Sequence, residues 1–295
     1  MKESSLSHLY KQKQHYVWKT YLIPWSVNGQ IWCKRMDSIF WTSLENIAQE
    51  RYFYKTSMLN EFEDSCIKSL IKNMDPSSHE MNLSSYEVYK STANGHDYFE
   101  KNGIEEYHSI IENTAMEPLE YLYKKDLSFL NNDQIKINFC QYLGHQYTRT
   151  KRNREKVSVG LNDTVEIFPE YKGKFDPERI SNVLSLILSN AIGNWIYSKA
   201  KFSFIENTTE VDFITGDQPI FNVEANGLNV GETPEKMKLY YPLSPRLAIL
   251  MTEDESCFDG NNIEVVKELN NFIYDGSYNQ IYSQKKELLE LYLMN

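Results

Sequence analysis

Apolar and polar positions along this chain follow two periods, and the period changes near residue 201. Phe62, Cys66, Leu70 and Met74 recur every fourth residue, with Ile67 and Ile71 beside them, predicting a helix over about 60–73. Ser43 ahead of Leu44 predicts a capped short helix through Ala48. Helical blocks follow over about 104–123 and 133–154. In the second, Ile137, Cys140, Tyr142, Leu143 and Tyr147 form a broad apolar stripe. The clearest helix covers about 177–201. There Ile180, Val183, Leu184, Ile187, Leu188, Ala191, Ile192, Trp195 and Ile196 cover more than one face, which predicts a central position. Beyond it the pattern becomes that of strands, over about 202–205, 211–215, 220–223, 239–243 and 247–251. Gly216, Gly227 and Gly231 supply turns. A helix over about 262–272, a strand at 280–283 and a C-terminal helix from Gln284 complete the chain. Residues 74–83, 160–163 and 173–177 read as loops, and 84–99 carry no clear period.

Near the start, an Asn28-Gly29 turn signal between 21–26 and 30–33 predicts a hairpin, with Pro24 at an edge or a bulge. Helices in the first two thirds and strands in the last third are segregated rather than alternating, which indicates an α+β fold. The expected arrangement is a helix-rich part over about 40–201. It packs on a mostly antiparallel sheet built from the hairpin at 16–35 and the strand-rich part at 202–283. A chain of 295 residues is expected to form a single domain over 1–295.

Composition narrows the partners. The net charge of −10 argues against a general electrostatic grip on nucleic acid or anionic lipid, leaving room for a local basic site. Cys33, Cys66, Cys140 and Cys257 are far apart and have no zinc-ligand spacing, so they read as reduced thiols. The apolar runs fall short of the roughly 20 residues that span a bilayer. The start, Met1 to His15, is polar and lacks the apolar core of a signal peptide, so a cytoplasmic location and no membrane are expected.

Common nucleotide-binding and hydrolase signatures are absent. Four segments carry candidate chemistry. In the first, Gln146, Arg149 and Asn153 share one face of the predicted helix, and five of the eight residues from Arg149 to Lys156 are basic. An amide and a guanidinium fork side by side suit a phosphate or carboxylate, with Arg152 as a further contact. Cations closing a helix C-terminus explain the same run without function. The second is Asp217, at a Gly-Asp turn after a strand, where it is either a presented carboxylate or an Asx turn bonding its own backbone. The third is His15, with Glu63 as a general base or metal ligand if it faces His15 or Asp217. Glu63 is equally explained by its place at a helix N-terminus. The fourth, Ser244 between Pro242 and Pro245, has no base nearby in sequence.

In order along the chain, several segments together resemble one family. They are His15-Tyr16-Val17 with Tyr21-Leu22, Ser43 to Ala48 with Phe53-Tyr54, Gln146-x-x-Arg149-Thr150 and Phe213 to Asp217 with Pro219. Tyr241 to Pro245, Asn270 and Gln280 to Ser283 complete the set. The family is the bacterial domain of unknown function 4238. This chain carries Trp18 where the family usually has Pro, and Gly216 where it usually has Ser. The resemblance implies one domain of this length, and it makes His15, Gln146, Arg149 and Asp217 the polar signature positions. It implies no activity.

Two functions therefore stay open. One is a hydrolase or nuclease-like effector acting on a nucleic acid or nucleotide, in a toxin or phage-defence setting. In it Arg149, Gln146 and Arg152 bind substrate, and Asp217, His15 and Glu63 serve acid–base chemistry or a divalent metal. The other is a binding or sensor protein in which the polar signature is a structural network, with Arg149 paired to Asp217.

Overall fold

The computed structural model describes residues 10–228, 232 and 234–293. Gly231 and the first nine residues, for which a turn and a polar leaderless start were expected, lie outside the described residues. The chain opens with β1 (Lys13–His15) and a short helix α1 (Lys19–Leu22), followed by a 3-10 turn over Ile23–Trp25. Then come β2 (Gln30–Arg35), β3 (Ser38–Ser43), a 3-10 turn at Leu44–Asn46 and β4 (Gln49–Arg51), which pairs antiparallel with β1. The Asn28-Gly29 turn is present, both residues at positive φ, but its first flank is helical rather than a strand. Tyr21, Leu22 and Trp25, all buried, sit at i, i+1 and i+4, a helical spacing that aromatic richness obscures. The hairpin itself is β2 with β3, one step further on, and β3 and β4 fall inside the part expected to be helical.

The helical layer begins with α2 (Glu61–Asn73), closed by a capping box between Asn60 and Glu63. A 3-10 turn capped by Asp75 leads straight into α3 (His79–Ala93), so most of the expected loop at 74–83 is helical. The buried face of α3 includes Asn82, Ser85 and Thr92, and this polar content hides its period. Asn190 Nδ2 donates to Asn82 Oδ1 at 3.1 Å and to Ser85 Oγ at 3.0 Å, which satisfies that face against a later helix. Next come α4 (Asp97–Thr114), α5 (Met116–Tyr123), α6 (Asp133–Thr148), α7 (Lys151–Ile167) and α8 (Pro177–Lys199). The block expected at 133–154 is two helices, broken at Thr150, whose ψ of 161° is extended. Gly160 lies inside α7 and interrupts nothing. Helices α6 and α8 meet backbone to backbone. A Cβ on Gly144 would stand 2.2 Å from Ser189 O, and one on Gly193 would stand 2.9 Å from Cys140 O.

The last third supplies β5 (Lys201–Glu206), β6 (Thr215–Gly216), β7 (Phe221–Asn222), β8 (Lys238–Ser244), β9 (Leu247–Thr252), α9 (Ile263–Gly276), β10 (Gln280–Ser283) and α10 (Lys286–Glu290). The strands form two antiparallel four-stranded sheets, ordered β3-β2-β10-β6 and β5-β9-β8-β7. The fold is α+β, with the early hairpin joined to the C-terminal strand β10 as expected, but with two four-stranded sheets and the small β1-β4 pair in place of one sheet. Of the strand expected at 211–215 only Thr215 joins a ladder, with Gly216, expected in a turn, beside it in β6. The Asn270 amide replaces the missing partner, accepting from Ile214 N at 2.9 Å and donating to Asp212 O at 2.9 Å. Tyrosines join the layers. Tyr21 Oη donates to Pro242 O and bonds Thr215, and Tyr142 meets Tyr241 hydroxyl to hydroxyl at 2.9 Å. One continuous cluster of buried side chains runs through helices and sheets. Among the described residues no helix is long and apolar enough to cross a membrane.

Candidate functional site

Gln146 and Arg149 touch, as their spacing on α6 requires, but they face the protein rather than a cleft. Gln146 Nε2 donates to Tyr16 O at 3.1 Å and its Oε1 accepts from Trp18 N at 3.3 Å, tying the chain after β1 to α6. Arg149 is 2% exposed; it donates to Gln146 Oε1 at 2.9 Å and to Glu112 Oε1 of α4 at 2.6 Å. Burial works against the cation, yet the Glu112 charge outweighs it and raises the Arg149 pKa. The partner expected for Arg149 was Asp217; the observed one is Glu112. Asn153 does not continue this face, because the chain turns at Thr150. Its amide instead donates back to Tyr147 O at the end of α6.

Asp217 is fully buried and accepts three backbone N–H groups, from Tyr278 at 2.7 Å and from Asn279 and Gln280 at 3.1 Å. It clamps the segment ahead of β10 rather than its own turn. Burial pushes its carboxyl up to about 6, against the pull of those three donors. Next to it, Gln218 accepts from the Thr150 hydroxyl and donates to Tyr147 O at 3.2 Å, which fixes the break between α6 and α7. Glu63 faces neither His15 nor Asp217. It closes the capping box and takes two hydrogen bonds of 3.1 Å from Arg179. His15 lies in β1 with its ring partly buried, and burial lowers its pKa. Arg152 pairs with Glu155 at 3.1 Å and lines a separate recess near Phe221 and Gly227.

Behind the Arg149–Glu112 pair lies a second buried group. His108 of α4 and His145 of α6 have ring centroids 5.2 Å apart. Burial, reinforced by Arg149, holds His145 down to about 3 and His108 well below the usual imidazole range. On the same face of α4, burial and the Glu112 charge push Glu105 up to about 7.

The open site is elsewhere. A cleft of about 730 Å³ lies where α7, the start of α8, β4 and the segment before β10 meet. Arg154 is its central cation. Its guanidinium lies 3.5 Å over the Phe53 ring, its Nη1 donates to Phe53 O at 2.5 Å, and its Nε is out of solvent without a hydrogen-bond partner. Burial pulls its pKa down to about 10, with Tyr54 and Glu178 acting the other way. The neighbouring charges are matched: Lys151 with Glu50, Glu155 with Arg152, and Arg179 with Glu63 and Asp176. Among the described residues Arg154 and Glu178 are the cleft's charged groups with no ion pair. Tyr278, held by Asp217, completes the wall, and Lys151 sits 5.0 Å from its ring centre. Among the described residues no group of three or more His, Cys, Asp or Glu side chains is placed to hold a metal ion.

So the polar signature does not line the cleft; it positions the elements that do. The sequence singled out the basic run but not Arg154 within it. Residues 151, 154, 155 and 158 share one face of α7 and line the cleft together, a period that shows once the helix is started at Thr150. Fold and site define a class: an α+β protein with a small-molecule-sized, mixed-charge cleft at a helix junction. The chain belongs to the family described as protein of unknown function (DUF4238), whose model matches residues 13–287. No curated protein and no solved structure matches it.

Proposed function

We propose that this protein binds a phosphate-bearing small molecule of nucleotide size in the cleft, with Arg154 meeting the anion. The observation that carries this reading is a half-buried guanidinium, stacked on Phe53, that lines an open cleft and has no ion-pair partner among the described residues. A partly buried cation with no ion-pair partner gains from an anion that pairs with it. The cleft volume of about 730 Å³ falls within the roughly 300–1,000 Å³ typical of ligand sites. Glu178 supplies a separate acceptor, of the type that holds ribose hydroxyls in nucleotide sites. The surrounding ion pairs and the net charge of −10 favour a small ligand over a polymeric nucleic acid. Titration calorimetry with inorganic phosphate, AMP and ADP tests it. Arg154→Ala is expected to abolish binding and Arg154→Lys to weaken it at least tenfold, because lysine lacks the fork. Arg152→Ala, on the other face of α7, is expected to bind like wild type. Unchanged binding by Arg154→Ala, or no binding by wild type, overturns the proposal.

A second reading, hydrolysis of a phosphate ester by an effector, draws support from one observation. Glu178, exposed at the start of α8, lines the same cleft free of any ion pair among the described residues, which leaves its carboxylate available as a general base. Under it, Glu178→Gln retains ligand binding but loses turnover, and any toxicity on expression goes with it. A variant that keeps its turnover removes this reading.

A further inference from the structure

Arg154 borders a second cavity. Behind it, between α7 and α8, lies a side pocket of about 180 Å³ walled by Val157, Leu188, Ala191 and Ile192, and Arg154 and Ser181 line both spaces. Its serine and threonine hydroxyls are already engaged. Thr148 Oγ1 donates to Ser185 O at 2.8 Å and Ser185 Oγ donates to Asn182 O at 2.8 Å. The Ser181 hydroxyl donates to Pro177 O. Leu188 stays 37% exposed on an otherwise deeply packed helix, because α7 stands off from it here. An apolar cavity of about 150 Å³ is large enough to take a benzene ring.

We infer that the cleft's ligand is an amphiphilic phosphate, its anionic group held at Arg154 and an aryl or short alkyl arm inserted between α7 and α8. This rests on the cleft reading above and narrows it. The occupant follows from continuity: Arg154 lines both the cleft and the side pocket, so a group entering the pocket lies next to the anion held at Arg154. The chemistry of the arm follows from the wall, where the Val157, Leu188, Ala191 and Ile192 side chains present hydrocarbon and the Thr148, Ser181 and Ser185 hydroxyls are engaged with backbone carbonyls, which rewards hydrocarbon over a hydrogen-bonding base edge.

The test is calorimetry on the full chain with methyl phosphate and phenyl phosphate, two monoesters of equal charge. Wild type is expected to prefer phenyl phosphate at least tenfold, about 1.4 kcal/mol. Ala191→Phe and Val157→Phe, which fill the pocket from opposite walls, are each expected to keep the methyl phosphate affinity and lose the preference. Two filling variants guard against one that misfolds, which circular dichroism identifies. Equal affinity for the two esters in wild type, or a preference that survives in both filled variants, overturns the inference while leaving the cleft reading intact. Failure of both esters to bind overturns both.

Discussion

At the scale of single residues, the same side-chain type does two jobs in this protein, and burial with pairing separates them. Arg149 is enclosed and matched to Glu112; Arg154 is half-buried, stacked on Phe53, and has no ion-pair partner among the described residues. Removing one partner of a buried pair strands the other, at a cost of roughly 3–5 kcal/mol. Arg149→Ala is therefore expected to lower the unfolding free energy by about that amount in urea melts. The double variant Arg149→Met with Glu112→Leu is expected to recover much of it, since an apolar pair leaves no charge behind. A single variant as stable as wild type would show that the pair contributes nothing net. Trp18 shows why position matters as much as type: its backbone N–H donates to Gln146 Oε1, a bond that proline in its place cannot make.

At the scale of elements, the contact between α6 and α8 is set by glycine. Gly144→Ala drives a methyl group into the Ser189 carbonyl, and backbone cannot rotate aside. A loss of roughly 1–3 kcal/mol or more is expected. Gly160→Ala, which meets nothing within 4 Å in α7, is expected to gain up to about 1 kcal/mol from helix propensity. Paired thermal melts check both; a Gly144→Ala protein as stable as wild type would mean the helices slide apart freely. Elements with a dense apolar period, such as α2, α8 and β8 to β10, were legible in the sequence. Those held by polar side chains were not. α3 buries asparagine and serine against Asn190, so it shows no apolar period, while the run at 211–214 shows a strand's period but is held by Asn270 instead of a ladder. The break at Thr150 was half legible, since threonine is a natural N-cap residue. Its cause, the Gln218 amide, comes from 68 residues away and no local pattern contains it. The candidate site suffered from the same break. Started one helix too early, the basic run put Arg152 on the expected face and hid Arg154.

At the scale of the whole molecule, two buried titrations set opposite limits on stability. Glu105 is raised from 4.5 to about 7 by burial and Glu112, so the native state holds its proton longer than the unfolded chain does. Stability from this source is full below about 4.5 and lost as pH rises through about 7. His145 is lowered from 6.5 to about 3, so its contribution is full above 6.5 and lost on acidification. The melting temperature is expected to fall on both sides of a mildly acidic maximum. Glu105→Gln is expected to flatten the alkaline side alone, gaining more at pH 8 than at pH 5. An equal effect at both values would sink the assignment.

Helix α7 spans 17 residues and none of them is fully buried, with cavities along its flanks. Segments with few buried contacts open locally at small free-energy cost, ahead of global unfolding. A ligand bridging α7 to α8 through Arg154 would close that opening, so its dissociation constant carries the helix's own opening equilibrium within it. Amide hydrogen exchange would then be slowed along the whole of α7, far beyond the few groups in contact. The affinity of the cleft would change with any substitution that alters how often α7 detaches, including ones that never touch the ligand.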